Sequence, residues 1–492
     1  MPVFSLPSAY GIGGFGKESY EFIDFLAEAG QKVWQMLPLV QTGYGNSPYS
    51  SVSLFSFNPF FIDPEALVFS GLLKKSEIKL SVRGGRHVDY GFLYDVRYGL
   101  LRKAFSRFDK GDAKFKSFIR SGEFSDYAIF MAAKTVFASR PFYEWEEGVK
   151  YRRAEDLKKF KKDNKDEITF WHFVQYTAKS QWSKLKKYAG DKGVKIVGDM
   201  PLYAAPDSAD VWANPGIFKL NDDLTVSKEA GVPPDYFSQT GQLWGNPVYD
   251  YDRRPEIFDW WFKRIRNALD IFDYVRIDHF RGLDRYYEVP SGAENAVHGE
   301  WVQVPSEELF AHIGRKDFDH RIIAEDLGII DDGVRQLLKK TGYPGMKILS
   351  FAFNGDPDNL YLPERIDEHC VCYTGTHDND TLAGLIANMS EWDYNNLVKG
   401  VANSLEVMNV RKTLKNNLSL AKAITELGMK SRADLFVMPY QDVLLKDSEY
   451  RINIPGTVSG RNFSVHFDKK DFSHKTAERL KKLTEKYNRI PK

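Results

Sequence analysis

The sequence predicts an α/β protein built as a (β/α)8 TIM barrel with insertions at its C-terminal rim. Three observations carry this. Apolar, β-rich runs recur along the chain with helical stretches between most of them, which is the order that builds a parallel sheet. Eight such runs can be counted, the number that closes a barrel. Four of them end in an acid, and the C-terminal strand ends of such a barrel form one rim. The chain has 492 residues, beyond the size at which one ordinary core stops growing, but within reach of a single barrel with insertions.

Val3 to Leu6 is a short apolar run ending at Pro7 and reads as the first strand. Gly11-Ile-Gly-Gly-Phe-Gly16 follows and matches G-x-G-x-x-G. A dinucleotide site would need an acid at the end of the next strand. That strand, Val33 to Leu39, runs on into Val40-Gln41 without one. The glycines are therefore read as a turn before a helix over 17–29. Phe22, Phe25, Leu26 and Ala29 share one face of it, and Gly30 ends it.

The next loop is rich in Gly, Pro and Asn and carries Tyr44 and Tyr49. Such tyrosines pack inward, or offer a ligand an apolar face with a polar tip. Residues 40–190 read as a largely helical insertion after strand two. Within it, Tyr151 to Glu167 mixes both charges and reads as a solvated helix and turn. Lys195 to Pro201 is the third strand, followed by a loop-rich insertion over 203–256. That insertion carries Asp207 to Pro215 and the run Trp244-Gly-Asn246-Pro. The remaining strands are Asp273 to Phe280, Arg321 to Gly328, Met346 to Phe353, Cys370 to Asp378 and Ala433 to Asp442. Helices are expected near 257–269, 333–340 and 410–427.

Lys+Arg (68) and Asp+Glu (67) nearly cancel. No global field draws the chain to nucleic acid or to an acidic membrane. No stretch of about 18 apolar residues is present, and no basic segment precedes an apolar run at the start. Cys370 and Cys372 lie two apart on one strand, a spacing that suits neither a zinc site nor an ordinary disulfide. So few cysteines point to a reducing compartment, and a cytoplasmic location is expected.

Chemistry concentrates at Tyr274 to Gly282, read as Y-V-R-I-D-H-F-R-G. Alternation puts Arg276 and Asp278 on one strand face. This is either a structural ion pair or a carboxylate held ionised for attack. Asp199, Asp278, Glu325 and Asp378 all fall at strand ends. Four acids on one rim repel one another without a positive or protonated partner, so shared chemistry explains them better than structure does. A divalent metal site is disfavoured by Arg276, Arg281, His279 and His377 beside the acids; no metal and no organic cofactor is expected. Paired carboxylates working on a glycosidic bond fit better. Tyr44, Tyr49, Trp244 and Asn246 supply the aromatics and amides that sugar sites favour.

Taken together these motifs resemble the 4-α-glucanotransferase (amylomaltase) family of glycoside hydrolases, family 77. The resemblance covers nearly the whole chain and implies the same (β/α)8 barrel, with no C-terminal β-domain of the kind α-amylases carry. It rests on L-P-S-x-Y-G-I-G from Leu6, F-I-D-F-L-A-E-A-G-Q-K-x-W-Q from Phe22, and the loop around Tyr44 and Tyr49. It continues through G-D-M-P from Gly198, D-S-A-D-V-W-A-N-P from Asp207, W-G-N-P-x-Y from Trp244, R-I-D-H-F-R-G, A-E-D-L-G and T-H-D-N. The resemblance implies Asp278 as nucleophile, Glu325 as general acid/base and Asp378 as transition-state stabiliser. It selects Glu325 over the adjacent Asp326, a choice the spacing alone leaves open. Arg276 would pair with the nucleophile. Asp199 and His377 would hold the transferred sugar, and Tyr44, Tyr49 and Trp244 would line the groove. One segment departs: where the family pattern reads P-G-T-x-x-G-N-W-x-W-R, this chain has Pro455-Gly-Thr-Val-Ser-Gly-Arg-Asn-Phe463-Ser-Val-His466, without either tryptophan.

The implied activity is retaining transfer of α-1,4-glucan segments between maltooligosaccharides. An α-amylase-type hydrolase and a non-catalytic glucan-binding protein are the alternatives.

Overall fold

The computed structural model describes all residues except 80–84, 235–237, 315–317, 319, 329, 491–492 and the side chain of Tyr44. Its strands are numbered in chain order: β1 Val33–Gln35, β2 Lys195–Met200, β3 Lys228–Val232, β4 Gln242–Pro247, β5 Tyr274–Ile277, β6 Arg285–Pro290, β7 Glu300–Gln303, β8 Ile322–Ala324, β9 Gly345–Ile348, β10 Cys370–Tyr373 and β11 Leu435–Val437. One parallel sheet has the order β1-β2-β5-β8 and a second has the order β9-β10-β11. Ala324 N donates to Pro344 O at 2.9 Å, and Met346 N donates to Asp326 Oδ1 at 2.6 Å. These bonds carry the first sheet on into the second.

The seven parallel strands share one interior. Val33, Val197, Tyr274, Ile323, Met346, Val371 and Leu435, one from each strand, belong to a single apolar cluster. Period two then places Asp199, Arg276, Asp278 and Glu325 on that same inner face, one or two steps further along their strands. The outer face packs on helices, among them Lys17–Glu28, Lys165–Asp191, Arg254–Ile271, Asp332–Thr341 and Asn417–Lys430. The helix expected over 17–29 is present, with Gly16 at its N-cap and Gly30 at φ +71 just past its end. The helix expected near 410–427 instead begins at Asn417, where the Asn416 and Ser419 side chains form a capping box.

One sequence expectation is corrected. Val3 to Leu6 is a 3-10 turn rather than a strand. Leu6 N donates to Val3 O at 3.2 Å, and Val3, Phe4, Ser5 and Leu6 are all buried. Four consecutive buried residues have no solvent face to alternate with, so the run carried no strand signal beyond its apolarity. Among the described residues β1 and β11 therefore each keep one edge without a strand partner, and the arc is open between them.

The loop-rich stretch 203–256 also holds β3 and β4. With β6 and β7 they form an antiparallel sheet in the order β4-β3-β6-β7. Glycine and glutamate hid these strands. Glu288 on β6 is buried, which is tolerable because Lys219 Nζ lies 2.7 Å and Lys228 Nζ 3.7 Å away.

Residues 40–190 include the helices Tyr90–Arg107, Ala113–Arg120 and Ser125–Val136. Cys370 and Cys372 are free and buried. Among the described residues no helix is long and apolar enough to cross a membrane.

Candidate active site

At the C-terminal ends of β2, β5 and β8, one guanidinium gathers three carboxylates. Arg276 Nε and Nη2 grip Asp199 at 3.0 and 2.8 Å, and Nη2 also donates to Asp278 Oδ1 at 2.7 Å. Nη1 lies 3.6 Å from Glu325 Oε2. The Arg276 side chain is 4% exposed and that of Asp199 1%, whereas Asp278 keeps 28% and Glu325 15%. The sealed pair thus lies below, and the two reactive candidates open upward.

Burial alone would lower the Arg276 pKa. The carboxylates of Asp199 and Asp278 outweigh it and raise the pKa well above its ordinary value. A divalent ion would have to compete with this cation for the same oxygens. Among the described residues no group of three or more His, Cys, Asp or Glu could hold a metal ion.

The turn after β5 completes the cluster. His279 adopts φ +47, ψ 49, a left-handed conformation that non-glycine residues rarely take. That conformation aims its backbone N–H at Glu325 Oε2, while Phe280 N donates to Glu325 O at 3.0 Å. Glu325 is held by backbone as well as by charge. The adjacent Asp326 points elsewhere, its carboxylate spent on Met346 N at the head of β9. Geometry therefore separates two acids that their spacing could not.

Burial first, and the Asp278 charge second, raise Glu325 well above the usual carboxylate range. Burial also raises Asp278, to about 6, but Arg276 opposes the rise. Both neighbouring carboxyls are thus pushed up from their ordinary values, chiefly by burial, while Arg276 pulls each of them down.

Asp378 follows β10 and reaches the same space, since its charge and that of His377 both act on Asp278. Its Oδ1 accepts from Asn453 Nδ2 at 2.7 Å and lies 3.3 Å from His377 Nε2. Arg451 locks the arrangement from behind. Its Nη2 donates to Asp378 O at 2.6 Å and its Nε to Asn453 O at 2.7 Å. Sequence reasoning missed Asn453 and Arg451, because a lone asparagine and arginine in a loop carry no pattern of their own.

Tyr49 forms the wall between Asp199 and His377. Its hydroxyl donates to Asp199 Oδ2 at 2.6 Å, and its ring stacks on His377 at 5.2 Å and 8°. Phe463, in the segment that departs from the family pattern, lies 6.1 Å from Tyr49 and 6.3 Å from His377. Trp244 stands across the site, edge-on to His279 at 5.0 Å. Asn246 donates to Ala204 O at 2.8 Å, which ties β4 to the loop after β2. The side chain of Tyr44 lies outside the described residues. Its backbone is in the turn Tyr44–Asn46, where a Cβ on Gly45 would meet Val458 Cγ1 at 3.5 Å.

Comparison with known proteins places the chain in a family. The family model described as 4-alpha-glucanotransferase, glycoside hydrolase family 77, matches residues 1–470. The 4-alpha-glucanotransferase of Clostridium butyricum is 41% identical over 99% of this chain and 100% of its own length. That of Thermus thermophilus is 40% identical over 99% of this chain and 97% of its own length. Amylomaltase from Streptococcus agalactiae, solved in complex with acarbose, superposes with a TM-score of 0.92 at 37% identity, covering 99% of this chain and 98% of that one. The chain belongs to the 4-alpha-glucanotransferase family, glycoside hydrolase family 77.

Proposed function

We propose that the chain is a retaining transglycosidase that moves α-1,4-glucan segments from one maltooligosaccharide to the 4-hydroxyl of another, on a (β/α)8 barrel scaffold. The observation that carries the reading is Arg276, one buried cation holding Asp199, Asp278 and Glu325 at three strand ends. Sharing one guanidinium supports the closely spaced pair, about 5–5.5 Å apart, that a retaining mechanism uses.

In this mechanism Asp278 attacks the anomeric carbon with the oxygen that Arg276 leaves free. Glu325, protonated because it is buried beside Asp278, gives its proton to the departing glycosidic oxygen. The C–O bond to the leaving glucan breaks as the bond to Asp278 forms. In the second step Glu325 takes the proton of the acceptor hydroxyl, and the acceptor oxygen displaces Asp278. Asp378, oriented by Asn453 and His377, faces the positive charge that develops on the sugar ring. Tyr49, Asp199 and His377 form a wall beside the transferred sugar, and Trp244 and Asn246 of β4 flank the groove together with the turn Tyr44–Asn46. A cytoplasmic location, without membrane or nucleic-acid partners, goes with this reading; it is supported by the balanced charge and the two reduced, buried thiols.

The test is maltotriose incubated with purified protein, with products resolved by size. Glucose plus a ladder of longer maltodextrins at constant reducing ends is expected. Rising reducing ends without a ladder would assign hydrolysis instead.

A further inference from the structure

Residues 374–382 join the end of β10 to the helix Leu382–Asn388 and carry His377 and Asp378. The side-chain bonds within this loop are local. Thr376 N donates to Asn379 Oδ1 at 2.8 Å, and Thr381 N donates to Asp380 Oδ1 at 2.7 Å. They shape the turns of the loop, but they do not fix where it stands against β2, β5 and β8. Contacts to residues 442–453 do that. Arg451 and Asn453 hold the middle, and Asn453 N also donates to His377 O at 3.1 Å. Ser448 Oγ donates to Asp380 Oδ2 at 2.7 Å.

The two ends of the loop converge on one side chain. The Thr374 hydroxyl donates to Asp442 Oδ2 at 2.6 Å, and Leu382 N donates to Asp442 Oδ1 at 2.7 Å. Asp442 lies on the helix Tyr440–Leu444, just after β11. Thr374, Leu382 and Asp442 are all buried. Leu382 N stands at the start of its helix, where an amide has no partner inside the helix. Thr374 O accepts from Ser350 N at 3.1 Å, which ties the other end to the chain just past β9. Burying a carboxyl is costly unless its oxygens are used. Burial raises Asp442 to about 6, and the Thr374 hydroxyl and the Leu382 amide pull against that rise. An apolar side chain would fill the same space at lower cost, so the acid is explained by what it holds. Fixing both ends of a loop removes much of the freedom its middle would otherwise have.

We propose that Asp442 is a positioning residue for glucan transfer: by pinning both ends of residues 374–382 it sets the place of Asp378 and His377 against Asp278. This rests on the reading of Asp378 as the group that faces the developing positive charge. Asp442 acts through the loop and does not touch the sugar. A misplacement of about 1 Å costs roughly 100-fold in rate. The loss falls on kcat, because the charge that Asp378 faces exists only in the transition state.

The test compares Asp442→Ala and Asp442→Asn in the full chain. Asparagine can accept from Leu382 N and donate to the Thr374 hydroxyl, so it keeps both ends tied, whereas alanine releases both. On maltotriose, Asp442→Ala is expected to lose about 10- to 100-fold in kcat with KM within about threefold of the parent. Asp442→Asn is expected to keep kcat within about threefold. The alanine change is then repeated in an Asp378→Asn background, on α-maltosyl fluoride, whose reactivity keeps slow variants measurable. There it is expected to cost less than about threefold, because the group it positions is already gone. A merely structural Asp442 would lower Tm and cost the same factor in both backgrounds. An alanine variant with the parent kcat, equal losses from alanine and asparagine, or equal losses with and without Asp378 would overturn the proposal. Thr374→Val frees one end of the loop and replaces alanine in the same comparison if that variant does not fold. Backbone hydrogen exchange over 374–385, read by mass spectrometry without substrate, is expected to quicken by about tenfold in the alanine variant; unchanged exchange would overturn the tie. Exchange needs no turnover, so a parent that builds no maltodextrin ladder refutes the functional reading while the tie between Asp442 and the loop is tested on its own.

Discussion

Replacing Arg276 by lysine keeps the charge and removes the fork. The guanidinium makes three contacts of 2.7 to 3.0 Å to Asp199 and Asp278, with Glu325 at 3.6 Å. A single ammonium nitrogen cannot span Asp199 in two-point contact and still reach Asp278. At least one charge-assisted hydrogen bond is lost, worth about 1.5–3 kcal/mol. If Asp278 is misplaced by that loss, kcat/KM falls by roughly 10- to 150-fold. A second effect has a definite sign. Burial has already raised Asp278 to about 6 against the pull of Arg276. A more distant cation pulls less, so the Asp278 pKa rises further. Asp278 attacks only when ionised, so the acid limb of kcat/KM moves to higher pH. The assay is the initial rate of glucose release from maltotriose between about pH 4.5 and 8.5, with a thermal melt to show that the variant folds. A lysine variant with at least half of the parent kcat/KM and an unmoved acid limb would refute the reasoning.

Glu325→Gln cannot protonate a leaving oxygen, so transfer from maltotriose should fall about 10²–10⁴-fold. Attack on α-maltosyl fluoride, whose fluoride departs without a proton, should suffer far less; equal losses on both donors would contradict the assignment. Asn453→Ala frees Asp378 Oδ1, and a charge-assisted bond of about 1.5–3 kcal/mol predicts a kcat/KM loss of at least tenfold with little change in Tm; steady-state rates equal to the parent would remove Asn453 from the site. Asp278→Asn tests the raised carboxyl through stability. The folded protein holds that proton more tightly than the unfolded chain, so this group costs the parent stability as pH rises from 3.8 to about 6. The stability of the variant relative to the parent, from urea unfolding, should therefore grow with pH by at most about 3 kcal/mol; a gap independent of pH would count against it.

The strand-end acids were legible because each breaks an apolar run where barrel strands stop. Arg276 and Asp278 were legible as a pair because period two puts them on one face. What single residues could not show is which acids meet. Glu325 and Asp326 are neighbours in sequence, and only the left-handed His279 turn and the Met346 amide give them different partners. Asn453 was invisible because its partner lies 75 residues away in the chain. The antiparallel sheet was invisible for a related reason. Its strands carry Gly231, Gly245 and the buried Glu288, which make sense only once Lys219 and Lys228 come in from outside their own strand. Val3 to Leu6 shows the opposite failure, an apolar run read as a strand because apolarity without alternation does not separate strand from buried turn.

The central claim is that Asp278 carries the glucan between donor and acceptor. The most direct test incubates Glu325→Gln with α-maltosyl fluoride, quenches in acid, digests with pepsin and locates the added mass by fragmentation. Without its base the variant forms the glycosyl-enzyme faster than it resolves it, so the adduct accumulates. A maltosyl group on the peptide containing Asp278, esterified at that side chain and released by an added acceptor together with azide, is the predicted result. An adduct on another carboxylate, or turnover of the fluoride with no adduct and inverted product stereochemistry, would contradict the account.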